Sequence, residues 1–147
     1  MAKRILVPVD HTPSAELLDL IRDAAGCGGA VVRLIHVAPV PDNVIGVDGH
    51  VMAYSDQESA RLEAEGLDML RSVELHFGGV PIDSVVRFGE PAAAIVREAE
   101  AFDADLIAMP TRGRAGVSRL IFGSIAEQVA RRAPMAVALV RPATPRD

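Results

Sequence analysis

The stretch IDSVVRFGEPAAAIVREAEAFDADLIAM, residues 82–109, contains a whole strand–helix–strand unit. Residues 82–88 are a short run rich in β-branched and apolar side chains, the pattern of a buried strand. Gly89, Glu90 and Pro91 then turn the chain, and proline suits a first helical turn because its missing N–H is not needed there. Ala92, Ile95, Val96 and Ala99 recur at the spacing that places them on one helix face. Residues 105–109 (DLIAM) are the next apolar run. Two such strands joined by a helix predict a crossover between parallel strands.

The same alternation continues on both sides. Residues 5–9 (ILVPV) read as a strand ending at Asp10. Thr12 or Ser14 can cap a helix carrying Leu17, Leu18, Ile21, Ala24 and Ala25 inward, and Gly26, Gly28 and Gly29 stop it. Residues 30–37 (AVVRLIHV) form a second strand. Residues 38–55 have no clear period and read as a long loop. Ser55 to Glu58 has the spacing of a capping box and opens a helix reaching Phe77, with Leu62, Gly66, Met69, Leu70, Val73 and Phe77 on one stripe. Beyond a turn-rich segment at 110–116, a helix turns Ile121, Ile125, Ala126 and Val129 inward. A fifth strand, residues 135–140 (MAVALV), opens with Met135 and closes with Val140, and a short tail follows. The expected fold is α/β: one domain over residues 1–147, with a five-stranded parallel sheet covered by helices on both faces.

Composition agrees. Half of the 147 residues are hydrophobic, with four Phe and one Tyr, so Val, Leu, Ile and Ala must build the core. The net charge of −5 argues against a nucleic-acid binder. Residues 1–109 carry eight basic and eighteen acidic side chains, whereas residues 110–147 carry seven arginines and two acids. A basic C-terminal quarter suits an anionic ligand, although a solvated face has the same composition. Cys27 is the single cysteine, so no intrachain disulfide can form. The opening MAKRILVPVD is too short in apolar residues for a signal peptide, and no apolar run reaches the length of a membrane span. A soluble, cytoplasmic protein is expected, with no membrane association.

In open α/β sheets, ligands bind beyond the carboxyl ends of the strands. Pro8-Val9-Asp10, His36-Val37 and the segment from Met109 to Gly113 are the distinctive ends here. Gly113 permits close backbone approach to a ligand, and Gly123-Ser124 precedes a helical run whose first amides suit an anion. Arg112, Arg114 and Arg119 add positive charge nearby. Glycines before a helix also serve as plain turns and caps. The P-loop, nucleophile-elbow and dinucleotide glycine motifs are absent. His11, His36, His50 and His76 show no metal-ligand spacing. No nucleophile or general base stands out, and Asp10 is the one acidic candidate.

The segment GRAGVSRLIFGSIAEQVARRAPMAVALVR (113–141) resembles the C-terminal signature of the universal stress protein family. RILVPVD (4–10) and VVRFGEPAAAIVREAEAFDADLIAM (85–109) resemble the same family, so the likeness spans essentially the whole chain. The resemblance implies a Rossmann-like open sandwich of the adenine nucleotide α-hydrolase type. The family's nucleotide motif is glycine, two residues, glycine, nine residues, glycine, then serine or threonine. Gly113, Gly123 and Ser124 fill three of its places, and the first glycine is replaced by Pro110, which has no N–H and a fixed φ.

Carried over by position, the resemblance implies a base and ribose pocket of Pro8, Val9, Asp10, Val37 and Met109. It places Arg112, Gly113, Gly123, Ser124 and the amides of Ile125 and Ala126 toward the phosphates. The implied ligand is ATP, or AMP or ADP, with or without Mg2+. The implied function is a small nucleotide-binding regulatory module in stress response, homodimeric through residues 135–140, with a protein partner the sequence does not name. The rival expectations are a nucleotide-independent dimeric interaction protein of the same fold, favoured by Pro110, and a slow ATPase.

Overall fold

The structure is a computed structural model. It describes residues 3–10, 15–27, 29–41, 44–45, 51–53, 55–78, 80–110 and 125–140. Five strands form the main sheet: β1 (Arg4–Pro8), β2 (Val31–Ala38), β5 (Ile82–Phe88), β6 (Leu106–Pro110) and β7 (Ala136–Val140). The helices between them are α1 (Ala15–Cys27), α2 (Ser55–Glu74), α3 (Pro91–Ala101) and α4 (Glu127–Arg132). All four strand pairings are parallel, in the order β5-β2-β1-β6-β7. The expected five-stranded parallel sheet is therefore present.

The stretch read as a featureless loop is not wholly so. β3 (Val44–Ile45) and β4 (Val51–Ala53) pair antiparallel within it. Strands of two and three residues are too short to display alternation in a sequence. The other boundaries move by one to three residues: β1 starts at Arg4, β6 runs on to Pro110, and α2 ends at Glu74. Phe77 follows in a turn held by its amide bond to the Glu74 carbonyl. The proposed cap residues Thr12 and Ser14, and the inward Ile121, lie outside the described residues.

Each strand's alternation feeds two separate cores. Ile5, Val7 and Val9 of the β1 region, with Val32 and Leu34 of β2, pack against Leu18, Ile21 and Ala25 of α1, Leu70 and Val73 of α2, and Phe77 just beyond it. Leu6 of β1 and Ile35 of β2, with Ile107 and Met109 of β6, pack on the opposite face against Ala92, Ile95, Val96 and Ala99 of α3 and Val129 of α4. All four expected inward residues of α3 are buried. One pair of helices on each face is what right-handed crossovers require when the chain runs first one way and then the other across the sheet.

The ends of α3 are built locally. The Glu90 carboxylate accepts from the amides of Ala92 and Ala93, and Pro91 stands in the first turn. Gly89 sits at φ +132, a conformation that only glycine adopts without strain, and so lets β5 turn into this cap. At the far end, Asp103 takes the left-handed φ of 56. Its amide bonds the Glu100 carbonyl, and the Ala104 amide bonds the Ala99 carbonyl, which closes the helix in a Schellman motif.

Candidate functional site at the strand-order reversal

Strand order reverses at β1, with β2 on one side and β6 on the other. Crossovers leave β1 and β6 toward opposite faces, which opens a crevice beyond their carboxyl ends. Pro8 pairs with Ile35, and Leu6 with Ile107. Counting on by two residues, Met109 stands level with Pro8, and Val37 level with Asp10.

The faces separate the candidates further. Met109 is buried on the α3/α4 face, where the half-buried Val37 and Ile125 and the buried Ala126 also pack. Pro8 follows Leu6 by two residues and so shares that face. Ile125 and Ala126 form a π-helical turn that leads into α4. Five candidates thus gather on one side of the crevice. The Val9 side chain, at 4% exposure, goes into the α1/α2 core instead, leaving its backbone as the part that faces the strand end. Asp10 follows it and is exposed. Arg112, Gly113, Gly123 and Ser124 lie outside the described residues.

Pro110 is the last residue of β6 and pairs in register with Val140. The position that the motif fills with glycine therefore belongs to a sheet strand here. A strand end tolerates a residue without an N–H where the ladder needs no further donor.

Sequence reasoning missed three features of the sheet and its covering helices. The first is Glu90. Beyond capping α3 it meets Arg132 of α4, Oε2 to Nη1 at 3.2 Å, and so joins the two helices of the site face. The amide of Ala93, helped by Ala92 and Arg132, holds its carboxyl below the usual carboxylate range against the opposing effect of burial. A Glu-Pro pair opening a helix was the available signal.

The second is an ion cluster under α3. Glu98, with a side chain 6% exposed, accepts from Arg33 Nη1 and from Arg87 Nε, each at 2.8 Å. Arg33 also forks onto both oxygens of Asp83 at 3.0 Å and lies 4.4 Å above the Phe102 ring. Its bond to Asp83, then that to Glu98, raise the Arg33 guanidinium against the lowering effect of burial. Arginines interrupting the apolar runs VVRLIHV and VVRF were the visible sign.

The third is His36, whose Nδ1 lies 2.9 Å from the Val9 carbonyl oxygen. Among the described residues no group of three His, Cys, Asp or Glu side chains is arranged to hold a metal ion. Among them, too, no helix is long and apolar enough to cross a membrane.

These features define a class: a doubly wound α/β domain with its candidate site at the reversal of strand order. The chain belongs to the universal stress protein family, whose model matches residues 1–141. A universal stress protein from Thermus aquaticus, encoded in the 3′ region of a QAH/OAS sulfhydrylase gene, is 33% identical over 144 residues, covering 96% of this chain and all of its own. Among solved structures, the protein MJ0577 superposes with a TM-score of 0.75 at 22% identity, covering 99% of each chain. The universal stress protein from Archaeoglobus fulgidus in complex with dAMP gives 0.59 at 20% identity, over 94% of this chain and 97% of that one. A universal stress protein in complex with cAMP gives 0.64 at 19% identity, over 97% and 98%. At these identities the superpositions establish the fold.

Proposed function

We propose that this protein is an adenine-nucleotide-binding regulatory module that works in the cytoplasm during stress responses, as a homodimer. The observation that carries the reading is the gathering of Pro8, Val37, Met109, Ile125 and Ala126 on one side of the crevice at the strand-order reversal. Apolar side chains from three strands offer a flat surface for a purine. The approach to α4 brings backbone donors to the same side, where phosphates would be met. Solved relatives with this fold hold dAMP and cAMP, which supports an adenine nucleotide as the ligand. In this reading Asp10 serves the ribose, and Arg112, Gly113, Gly123 and Ser124 serve the phosphates of ATP, ADP or AMP, with Mg2+ as a companion of the triphosphate.

β7 supports the dimer. It is an edge strand of the main sheet, and Leu139 in it is 40% exposed. An apolar edge strand favours pairing with a second copy. Light scattering at micromolar concentration is expected to give twice the chain mass, and a monomer would remove this part of the reading.

Isothermal titration with ATP and Mg2+, after stripping of bound nucleotide, tests the function. Saturable binding that disappears in the Gly113→Val, Ser124→Ala double variant supports it. One observation favours a second reading, a dimeric interaction protein without nucleotide: Pro110 closes β6 where the motif has glycine. A folded dimer that shows no heat with millimolar ATP would establish that alternative. Magnesium-dependent phosphate release above the level of the same double variant would make the protein a slow ATPase.

A further inference from the structure

His36 stands in β2 with its ring on the α1/α2 side of the sheet, between α2 and β5. A Cβ added to Gly66 of α2 would lie 3.0 Å from His36 Cδ2 and 3.0 Å from Val86 Cγ2. Few real side chains sit that close, so any residue larger than glycine at position 66 would have to push the imidazole or Val86 aside by a few tenths of an ångström. The ring is directed at β1, where Nδ1 meets the Val9 carbonyl oxygen at 2.9 Å. A carbonyl only accepts, so Nδ1 must carry the hydrogen. The Val9 amide is engaged as well, donating to the Ile35 carbonyl at 2.8 Å. Both backbone polar groups of the residue before Asp10 are therefore fixed from β2.

A trans peptide is planar, and its C=O and N–H point in opposite directions. Holding the Val9 carbonyl therefore sets the direction of the Asp10 N–H and the path of the chain as it leaves β1. That strand end is the edge of the crevice. The bond is part-buried and is made from the side of the sheet opposite the apolar wall of the crevice, so it is independent of the contacts a ligand makes there.

We infer that His36 is a positioning residue for the nucleotide site: from the far side of the sheet it fixes the Val9–Asp10 peptide that the base and ribose meet, and Gly66 gives it room to do so. The inference rests on the nucleotide-binding reading above. It concerns orientation alone, since His36 touches no ligand.

Titration calorimetry with ATP and Mg2+ on the whole protein tests it, alongside melting curves for each variant. His36→Phe keeps a ring and loses the donor, and is expected to weaken binding about five- to tenfold, the effect of one lost hydrogen bond. His36→Asn places an amide N–H near the former Nδ1 and is expected to restore affinity to within about threefold of the parent. Gly66→Ala, which pushes on the ring, should weaken binding in the parent and have no additional effect in the His36→Phe background, because both act through one contact. Should His36→Phe fail to fold, long-range ¹H–¹⁵N spectra of the parent decide, and an imidazole with its hydrogen on Nε2 overturns the assignment. A folded His36→Phe variant that binds ATP as the parent does also overturns it, as does an Asn variant as weak as Phe. A parent that binds no nucleotide overturns the functional reading and this role with it, an outcome separate from a parent that binds and is indifferent to His36.

Discussion

The two faces of the sheet are built from the same strands but by different chemistry. The α1/α2 face is hydrocarbon throughout its buried core, closed by Phe77 at 1% exposure. The α3/α4 face also buries hydrocarbon, but it holds Glu98 between two arginines, with Arg33 stacked on Phe102. The difference follows from coverage. α2 packs along both β2 and β5 more extensively than α3 does on the other face. On the other face Asp83 and Arg87 of the edge strand β5 keep side-chain exposures of 55% and 49%. Where a helix covers a strand, apolar residues suffice. Where cover runs out, arginine is suited to the boundary, because its stem packs while its head stays near water. The charges also guard β5 against pairing with another chain, whereas β7 at the opposite edge ends in Ala136–Val140 without a charge.

This contrast can be tested by removing matter from each face. Phe77→Ala should be the most damaging change, costing about 3–5 kcal/mol in urea unfolding, because it opens a cavity where α2 meets the sheet. Arg33→Met comes next. It leaves Glu98 with Arg87 alone and Asp83 without its fork. Because Arg87 remains and is half exposed, the loss should be about 2 kcal/mol, below the figure for a fully buried pair. If Arg33→Met proved neutral, the two faces would be energetically alike and the ion cluster would be ornament.

Smaller effects come from the ends of α3, on the charged face. Asp103→Gly should raise stability by about 0.5–1 kcal/mol, since glycine adopts the left-handed backbone without a Cβ penalty. A lower melting temperature for the variant would show that the Asp103 side chain does more than tolerate its position.

Acid should act more weakly still. Glu90 is held below the ordinary range chiefly by the Ala93 amide, and Glu58 by its bond to Arg61. A carboxyl whose pKa is lower in the folded chain contributes stability above its unfolded value, and loses it as pH falls through the folded one. The melting temperature should therefore stay level down to about pH 5 and decline below about pH 4.5, where an unfolded Glu begins to hold its proton. Glu90→Gln should make that decline shallower. An unchanged slope would mean that the α3 cap does not feel the charge. Both groups are open to solvent, so the effect is a modest one.

How much of this was legible beforehand varies with the kind of interaction. The strands and helices of 82–109 could be read because their apolar residues keep strict period, and Ala92, Ile95, Val96 and Ala99 are indeed inside. β3 and β4 could not, being shorter than one full alternation. On the site side, the strand ends carrying Pro8, Val37 and Met109 follow from fold class alone. That they share a face while the Val9 side chain does not follows from the two-residue repeat of β1, a step available from the sequence once the covering helices are assigned. The pairing of Glu98 with Arg33 and Arg87 was hidden, because the partners stand 65 and 11 residues away and meet only after the sheet closes. The bond of His36 to Val9 was hidden for the same reason, and Gly66 read as one member of a helical stripe.

β1 contributes Leu6 to one core and Ile5 and Val7 to the other, and it is bonded to a neighbour on each side. Its neighbours β2 and β6 also supply both cores, and β1 lies between them at the centre of the sheet. Opening it means dismantling both helical layers at once. Its amide hydrogens are expected to exchange with solvent mainly through whole-domain unfolding, and those of the edge strands β5 and β7 by fraying from the sides. A ligand gripping the end of this central strand is thus expected to pull on the global folding equilibrium rather than on a local flap.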